Sequence, residues 1–346
     1  MKTKTLKLLG CALLSGLFAF VSQAQSVSST PVGYVTLTIN GDGYTALSNP
    51  LENAVVYSGT ASSISGATIT SSFSMTSGEI STTDAEGNSA YYVQLADGTI
   101  LDITSNSESE ITVAVDVSSL VSADDLITVK KYTTLSDLFG ATNSAGLTSG
   151  ADASSSDLIF IMSSDGAGTY GSYYYQDDPF DGFFGGDGWR SLGSNSTDVA
   201  NLIIAPDDGI IVKRDASSDL SVVVTGTVNA TQHNRTLPQG FSLVSYPFPV
   251  ATTLDDSGIY SETNGYVSGG DANSSDIVYV LSPDGSYTSY YRQDDPFDGF
   301  FGGDGWRALG DNSTDVGSTS IPVGSSIIIK HTGSGLAWID ATPYTL

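Results

Sequence analysis

Four carboxylates crowd the stretch Gln176–Arg190: Asp177, Asp178, Asp181 and Asp187, set among glycines. The same stretch recurs without a change at Gln293–Arg307 and supplies Asp294, Asp295, Asp298 and Asp304. Calcium takes about six to eight oxygen ligands in a flexible cage, and glycine lets main-chain carbonyls turn inward to complete it. The eight aspartates are therefore candidate Ca2+ ligands. Their spacing matches neither a helix–loop–helix calcium loop nor a glycine-rich nonapeptide repeat. A second reading is that Asp-Gly and Gly-Gly make tight turns in which aspartate accepts from backbone amides. The residue types allow both.

Aromatic side chains share the same stretch: Tyr173, Tyr174, Tyr175, Phe180, Phe183, Phe184 and Trp189. Exposed rings beside carboxylates can stack on sugar faces and bind hydroxyls, which suits a carbohydrate-binding module. Alternating tyrosines and a tryptophan also fill cores, and Trp189 and Trp306 are expected there. Phe183-Phe184 and Phe300-Phe301 are harder to bury as pairs, because neighbouring strand residues face opposite sides. One ring of each pair is expected at the surface, as a ligand or subunit contact.

Catalytic chemistry finds little to work with. The two histidines, His233 and His331, sit in no nucleophile or metal motif. Neither a Gly-x-Ser-x-Gly elbow, a His-Glu-x-x-His pair nor a phosphate-binding loop occurs. Paired carboxylates can hydrolyse glycosides, but acids in a glycine-rich turn lack the apolar pocket that raises one pKa. No catalytic residue is assigned. Arg190 and Arg307 are expected to pair with a nearby aspartate.

These loops need strands to hold them, and the chain supplies strands in duplicate. Asp157–Ser163 (DLIFIMS) matches Asp276–Ser282 (DIVYVLS), and Ile210–Lys213 matches Ile327–Lys330. Upstream, Gly43-Tyr44-Thr45-Ala46-Leu47 resembles Gly240-Phe241-Ser242-Leu243-Val244. In the second copy that strand runs almost directly into Thr253, whereas in the first a long segment intervenes before Thr134. The intervening segment has its own strand rhythm: Ala90–Leu95, the turn Asp97-Gly98, Thr99–Ile103, Glu110–Val115 and Leu126–Val129. Scarce Lys and Glu, abundant Gly, Ser and Thr, and 18 Tyr favour strand and turn over helix. The expected fold is all-β: two homologous sandwich or barrel-like modules with a small β domain inserted in the first. The expected boundaries are 25–54 with 133–230 for the first module, 55–132 for the insert and 231–346 for the second.

The combination of Tyr91-Tyr92-Val93, Asp102-Ile103-Thr104-Ser105-Asn106, Thr134-Leu135-Ser136-Asp137-Leu138-Phe139-Gly140 and the two Gly-Trp-Arg triplets resembles an uncharacterised family of secreted bacterial tandem-module proteins. The resemblance covers most of the chain and implies no activity. The acidic loop before Gly-Trp-Arg is longer here than in that pattern.

Lys2, Lys4 and Lys7 precede an apolar run, Leu8 to Val21, and Ser22-Gln23-Ala24 offers small residues for cleavage. Residues 1–24 therefore read as a secretory signal peptide, too short in its apolar part to span a bilayer. Cleavage there would remove Cys11, the only cysteine, so neither a disulfide nor a thiolate ligand is expected in the mature chain. The formal charge of −26 would become about −29. Such a field repels nucleic acid and anionic membranes and attracts divalent cations. The sequence thus points to a secreted, non-catalytic structural or adhesive protein of the cell surface or matrix. Its expected partners are copies of itself or surface polysaccharide, with no nucleic acid and no stable membrane insertion. The alternative is carbohydrate binding through the duplicated aromatic and acidic loops.

Overall fold

The structure, a computed structural model, describes residues 31–178, 182, 185–295, 299 and 302–345. The segment read as a signal peptide lies outside them, as do Asp181, Phe183, Phe184, Asp298, Phe300 and Phe301. Strands make up 44% of the molecule and helix 3%, so the all-β expectation holds. Pro31–Leu346 forms one compact unit.

The chain opens with β1 (Val32–Ile39) and β2 (Gly43–Leu47). Six strands follow: β3 (Val55–Ser65), β4 (Thr68–Ser71), β5 (Tyr91–Gln94), β6 (Ile100–Asn106), β7 (Glu110–Val113) and β8 (Leu126–Lys131). They close into a barrel in the order β3-β4-β7-β6-β5-β8. Closure is possible because the long β3 pairs with β8 through one part and β4 through another, with register shifts at Val55/Tyr57 and Ala61/Ser63. Such bulges bend a strand and tighten its twist. Alternation does the rest: Ile69, Ile111, Val113, Ile127 and Val129 point inward and fill the barrel around Val93 and Ile103.

After the barrel come β9 (Thr133–Thr134), the one-turn helix α1 (Leu135–Phe139), β10 (Leu158–Met162), β11 (Tyr170–Gln176), β12 (Gly188–Ser191), β13 (Ile203–Ile204), β14 (Ile210–Arg214) and β15 (Leu220–Thr227). The remaining strands are β16 (His233–Leu237), β17 (Gly240–Ser245), β18 (Thr252–Thr253), β19 (Ile277–Leu281), β20 (Tyr287–Gln293), β21 (Gly305–Ala308), β22 (Ser320–Ile321), β23 (Ser326–His331) and β24 (Leu336–Asp340). Two five-stranded antiparallel sheets result, β12-β11-β10-β14-β2 and β21-β20-β19-β23-β17. Each sequence repeat thus occupies the same positions in its own sheet. Short ribbons match as well: β1-β15 with β16-β24, and β9-β13 with β18-β22.

The two sheets meet over Ile211, Leu243 and Ile328, with Tyr44, Phe160, Phe241 and Tyr279 packed around them. Their backbone contacts are reciprocal. Leu47 bridges Ser325 while Val244 bridges Asp208. Tyr44 N donates to Pro283 O and Phe241 N donates to Gly166 O, each at 2.9 Å.

The barrel is tied to the rest by a buried polar chain. Lys130 Nζ pairs with Glu52 and donates to Gln94 Oε1 at 2.7 Å. Gln94 Nε2 in turn donates to Thr231 Oγ1 at 2.9 Å. Breaking a buried ion pair by removing one partner typically costs about 3–5 kcal/mol, whereas replacing both with apolar groups is often neutral. Lys130→Met should therefore destabilise by about that amount, and adding Glu52→Leu should recover most of it. Urea or guanidinium titration of the three variants checks this; equal stability of the single and double variants would contradict it.

Candidate functional site

β11 carries the chain into the first acidic loop and β12 carries it out, paired from Tyr173 with Ser191 to Gln176 with Gly188. Tyr173, Tyr174 and Tyr175 of β11 are buried: Tyr175 meets Trp189 edge-on at 5.4 Å between centroids, and Trp189 is fully buried against Phe139. Trp189 Nε1 donates to Gly140 O at 3.0 Å. Trp306 is buried in the same way, against Tyr266. Both tryptophans therefore belong to the core, as does each triplet tyrosine, Tyr173 to Tyr175.

The loop base is stitched together by side chain to main chain bonds. Asp178 N donates to Asp187 Oδ1 at 2.8 Å, and Gly186 N donates to Asp178 Oδ2 at 3.0 Å. Gln176 Nε2 donates to Gly186 O at 3.0 Å. The second copy repeats each bond: Asp295 N to Asp304 Oδ1 at 2.8 Å, Gly303 N to Asp295 Oδ2 at 3.0 Å, and Gln293 Nε2 to Gly303 O at 3.0 Å. Asp178 and Asp187 thus accept backbone amides, the arrangement expected of aspartate in a tight turn. Gly185 has φ +97°, and a Cβ there would stand 2.5 Å from Asn195 O, so only glycine fits.

Arg190 organises the carbonyl side of the loop. Its guanidinium donates to Gly185 O, Gly186 O and Trp189 O, each at 3.0 Å, while the exposed Asp198 carboxylate stays 3.8 Å away. Arg307 does the same with Gly302 O, Gly303 O and Trp306 O at 2.8–3.0 Å, and Asp315 lies 3.8 Å off. The aspartate pairing expected from sequence is the minor contact. The main one is a clamp on three carbonyls, which suits the planar fork of arginine. Asp177, Asp187, Asp294 and Asp304 are exposed and face solvent from this rigid base. Among the described residues no group of three or more His, Cys, Asp or Glu is gathered as a metal site.

The histidines are far from these loops in role. His331 Nδ1 lies 2.7 Å from Asp276 Oδ2 in the core, and Asp276 also accepts from Val267 N, Thr332 N and Thr332 Oγ1. The first repeat holds the same brace with Arg214 on Asp157 at 2.6 Å. His233 is buried beside Trp338, and burial pushes its pKa down to about 4. Its cross-strand neighbour Asp340 behaves oppositely, raised to about 6 by desolvation. Asp340 lines a cleft of about 510 Å³ with Tyr246, Thr252 and Asp256. Sequence reading passed over Asp340, since it belongs to no motif and its setting arises only from the pairing of β16 with β24.

Two predictions follow from these groups. A lysine ammonium has three donors but on one atom, and cannot span carbonyls bound by two separate guanidinium nitrogens, so Arg190→Lys or Arg307→Lys should lower stability by about 2–4 kcal/mol; a denaturant midpoint equal to that of the parent would contradict the clamp. The pH dependence has two opposed parts. Asp340, with its folded pKa raised from 3.8, stabilises the fold below that value and loses the contribution as pH rises through about 6. His233, with its folded pKa lowered from 6.5, stabilises above 6.5 and loses the contribution as pH falls toward 4. Between pH 4 and 6.5, Asp340→Asn should therefore steepen the loss of stability on acidification, and His233→Gln should reduce it. Thermal melts across this window read both slopes, and parallel curves for all three proteins would contradict the assignment. Comparison of the chain with protein-family models, curated proteins and solved structures finds no match, so the functional reading rests on the residues themselves.

Proposed function

We propose that the chain is a secreted, non-catalytic structural or adhesive protein of the cell surface or extracellular matrix, assembling through copies of itself with Ca2+ as counter-ion. The observation that carries this reading is the duplicated, arginine-clamped loop, which offers exposed carboxylates from a rigid base at the same place in two sheets. Rigid presentation of charge suits a lattice or filament contact, because little side-chain or loop entropy is lost on association. The net charge of −26 works against association. Copies of so acidic a chain repel one another until a cation neutralises the surface.

Hard oxygen donors such as Asp177, Asp187, Asp294 and Asp304 suit Ca2+. The buried state of Trp189 and Trp306 takes away the strongest ring platforms for sugar binding at the loops, which favours the structural reading over the carbohydrate one there. Among the described residues no helix is long and apolar enough to cross a membrane.

Negative-stain microscopy and thermal melts, with Ca2+ and with chelator, test the proposal together. Ordered assemblies are expected only with Ca2+, and the melting midpoint should rise, since a ligand of the native state at 100 times its Kd adds about 2.7 kcal/mol. Monodisperse monomers in both conditions would sink the assembly reading. An unchanged melt would remove the metal.

A further inference from the structure

A groove of about 360 Å³ opens between the two five-stranded sheets, at the ends of β11 and β20 that lie farthest along those strands from the acidic loops. The first repeat contributes Met162, Ala167, Gly168 and Tyr170; the second contributes Phe241, Tyr279, Tyr287 and Ile328. Tyr170 and Tyr287 are repeat mates, the first residues of β11 and β20, and both line the groove at the junction. Both rings are unusually open for such large side chains, at 39% and 45% exposure.

The floor is a fixed aromatic stack. Tyr279 meets Tyr287 edge-on at 6.1 Å and lies tilted by 33° to Phe241 at 6.5 Å. The wall is held close by Gly168, whose φ is +71° and where a Cβ would lie 3.1 Å from the Phe241 ring. A side chain at that position would both strain the backbone and fill the groove.

We propose that this groove binds neutral carbohydrate, with the apolar face of a pyranose ring against the Tyr170 and Tyr287 rings and its hydroxyls bonded to the tyrosine hydroxyls. Three observations select this class. The lining carries three phenol hydroxyls and no charged side chain; the Lys330 ammonium, 5.9 Å from the Phe241 ring centroid, is not part of it. The chain's overall charge of −26 disfavours anions further. An apolar ring surface with a few convergent hydroxyls matches a ligand that has a C–H face and polar edges, in a volume at the low end for small-molecule sites. The site does not depend on the structural role proposed above, and it makes no use of the acidic loops.

The test is calorimetric titration of the full mature chain with four neutral hexasaccharides: cello-, malto-, laminari- and xylohexaose. At least one should bind saturably, with a Kd of about 1 mM or tighter. Tyr170→Ala and Tyr287→Ala should each weaken it about tenfold, the loss expected for a stacking contact of about 1.4 kcal/mol. Tyr287→Phe keeps the ring and should weaken it less. Ala167→Trp fills the groove from its exposed rim without removing a ring, and should abolish binding even if an alanine variant fails to fold. Phe184→Ala, in the acidic loop, should leave binding unchanged. Absence of saturable binding to all four sugars overturns the proposal, as does binding that Ala167→Trp leaves intact or that Phe184→Ala removes.

Discussion

Buried cations hold this acidic protein together. Of its few basic side chains, Lys130, Arg190, Arg214 and Arg307 are buried. Arg235 is tied to Asp207 and Asp208 at 2.8–2.9 Å, and Arg292 stacks over Tyr260 at 4.7 Å. A guanidinium taken out of water must have its donors satisfied, or it destabilises the fold by several kcal/mol. Each buried cation therefore fixes the chain segments around it: Lys130 the barrel, Arg214 the start of β10, Arg190 and Arg307 the loop bases. Without a disulfide among the described residues, these staples do the cross-linking that cystines do elsewhere. The cost appears at the surface, where the carboxylates are left with little to balance them.

The repeats keep the geometry of these staples while changing some of the chemistry. Asp157 and Asp276 are both fully buried and both bind the backbone of a long connecting loop, yet one is paired with Arg214 and the other with His331. Through Gln176–Arg190 and Gln293–Arg307 the two sequences are identical. Repeat equivalence also shapes the sheet junction. Reciprocal bridges at Leu47–Ser325 and Val244–Asp208 place like surfaces face to face, the arrangement of an isologous contact between two subunits, here made within one chain. Tyr170 and Tyr287 come together for that reason.

Much of the fold was legible because period-2 patterning is a direct consequence of the pleat. The barrel strands Thr68–Ser71 and Glu110–Val113 alternate buried and open residues as their sequences alternate. Tryptophan burial was legible too, since Trp189 lies in a strand flanked by glycine and arginine with apolar partners upstream. The role of Arg190 was only half visible. Sequence offers many aspartates for it, but three carbonyls lie nearer, two of them turned inward by glycines with φ near +80° to +97°, and a glycine's backbone direction leaves no trace in its letter. The groove was not legible. Tyr170 and Tyr287 read like any other strand tyrosine until the two sheets are brought together, and Asp340 becomes unusual only once β24 lies beside β16. Phe183, Phe184, Phe300 and Phe301, expected as contact residues, fall outside the described residues.

The loops and the groove obey different physics, and this separates the functions they can serve. Contacts through exposed carboxylates act over a Debye length, about 8 Å at physiological ionic strength, and weaken as salt rises. Contacts in an uncharged aromatic groove depend on buried apolar area and short hydroxyl bonds, which salt hardly touches. If both proposals hold, ionic conditions would change self-association through the loops while binding of a neutral sugar in the groove stayed constant. The two are joined only through the sheets, and those are locked by the same buried cations that leave the surface acidic. Neutralising a surface aspartate therefore alters self-repulsion without disturbing the groove, whereas removing a buried arginine disturbs both, because the loop base and the sheet it grows from are fixed by one guanidinium.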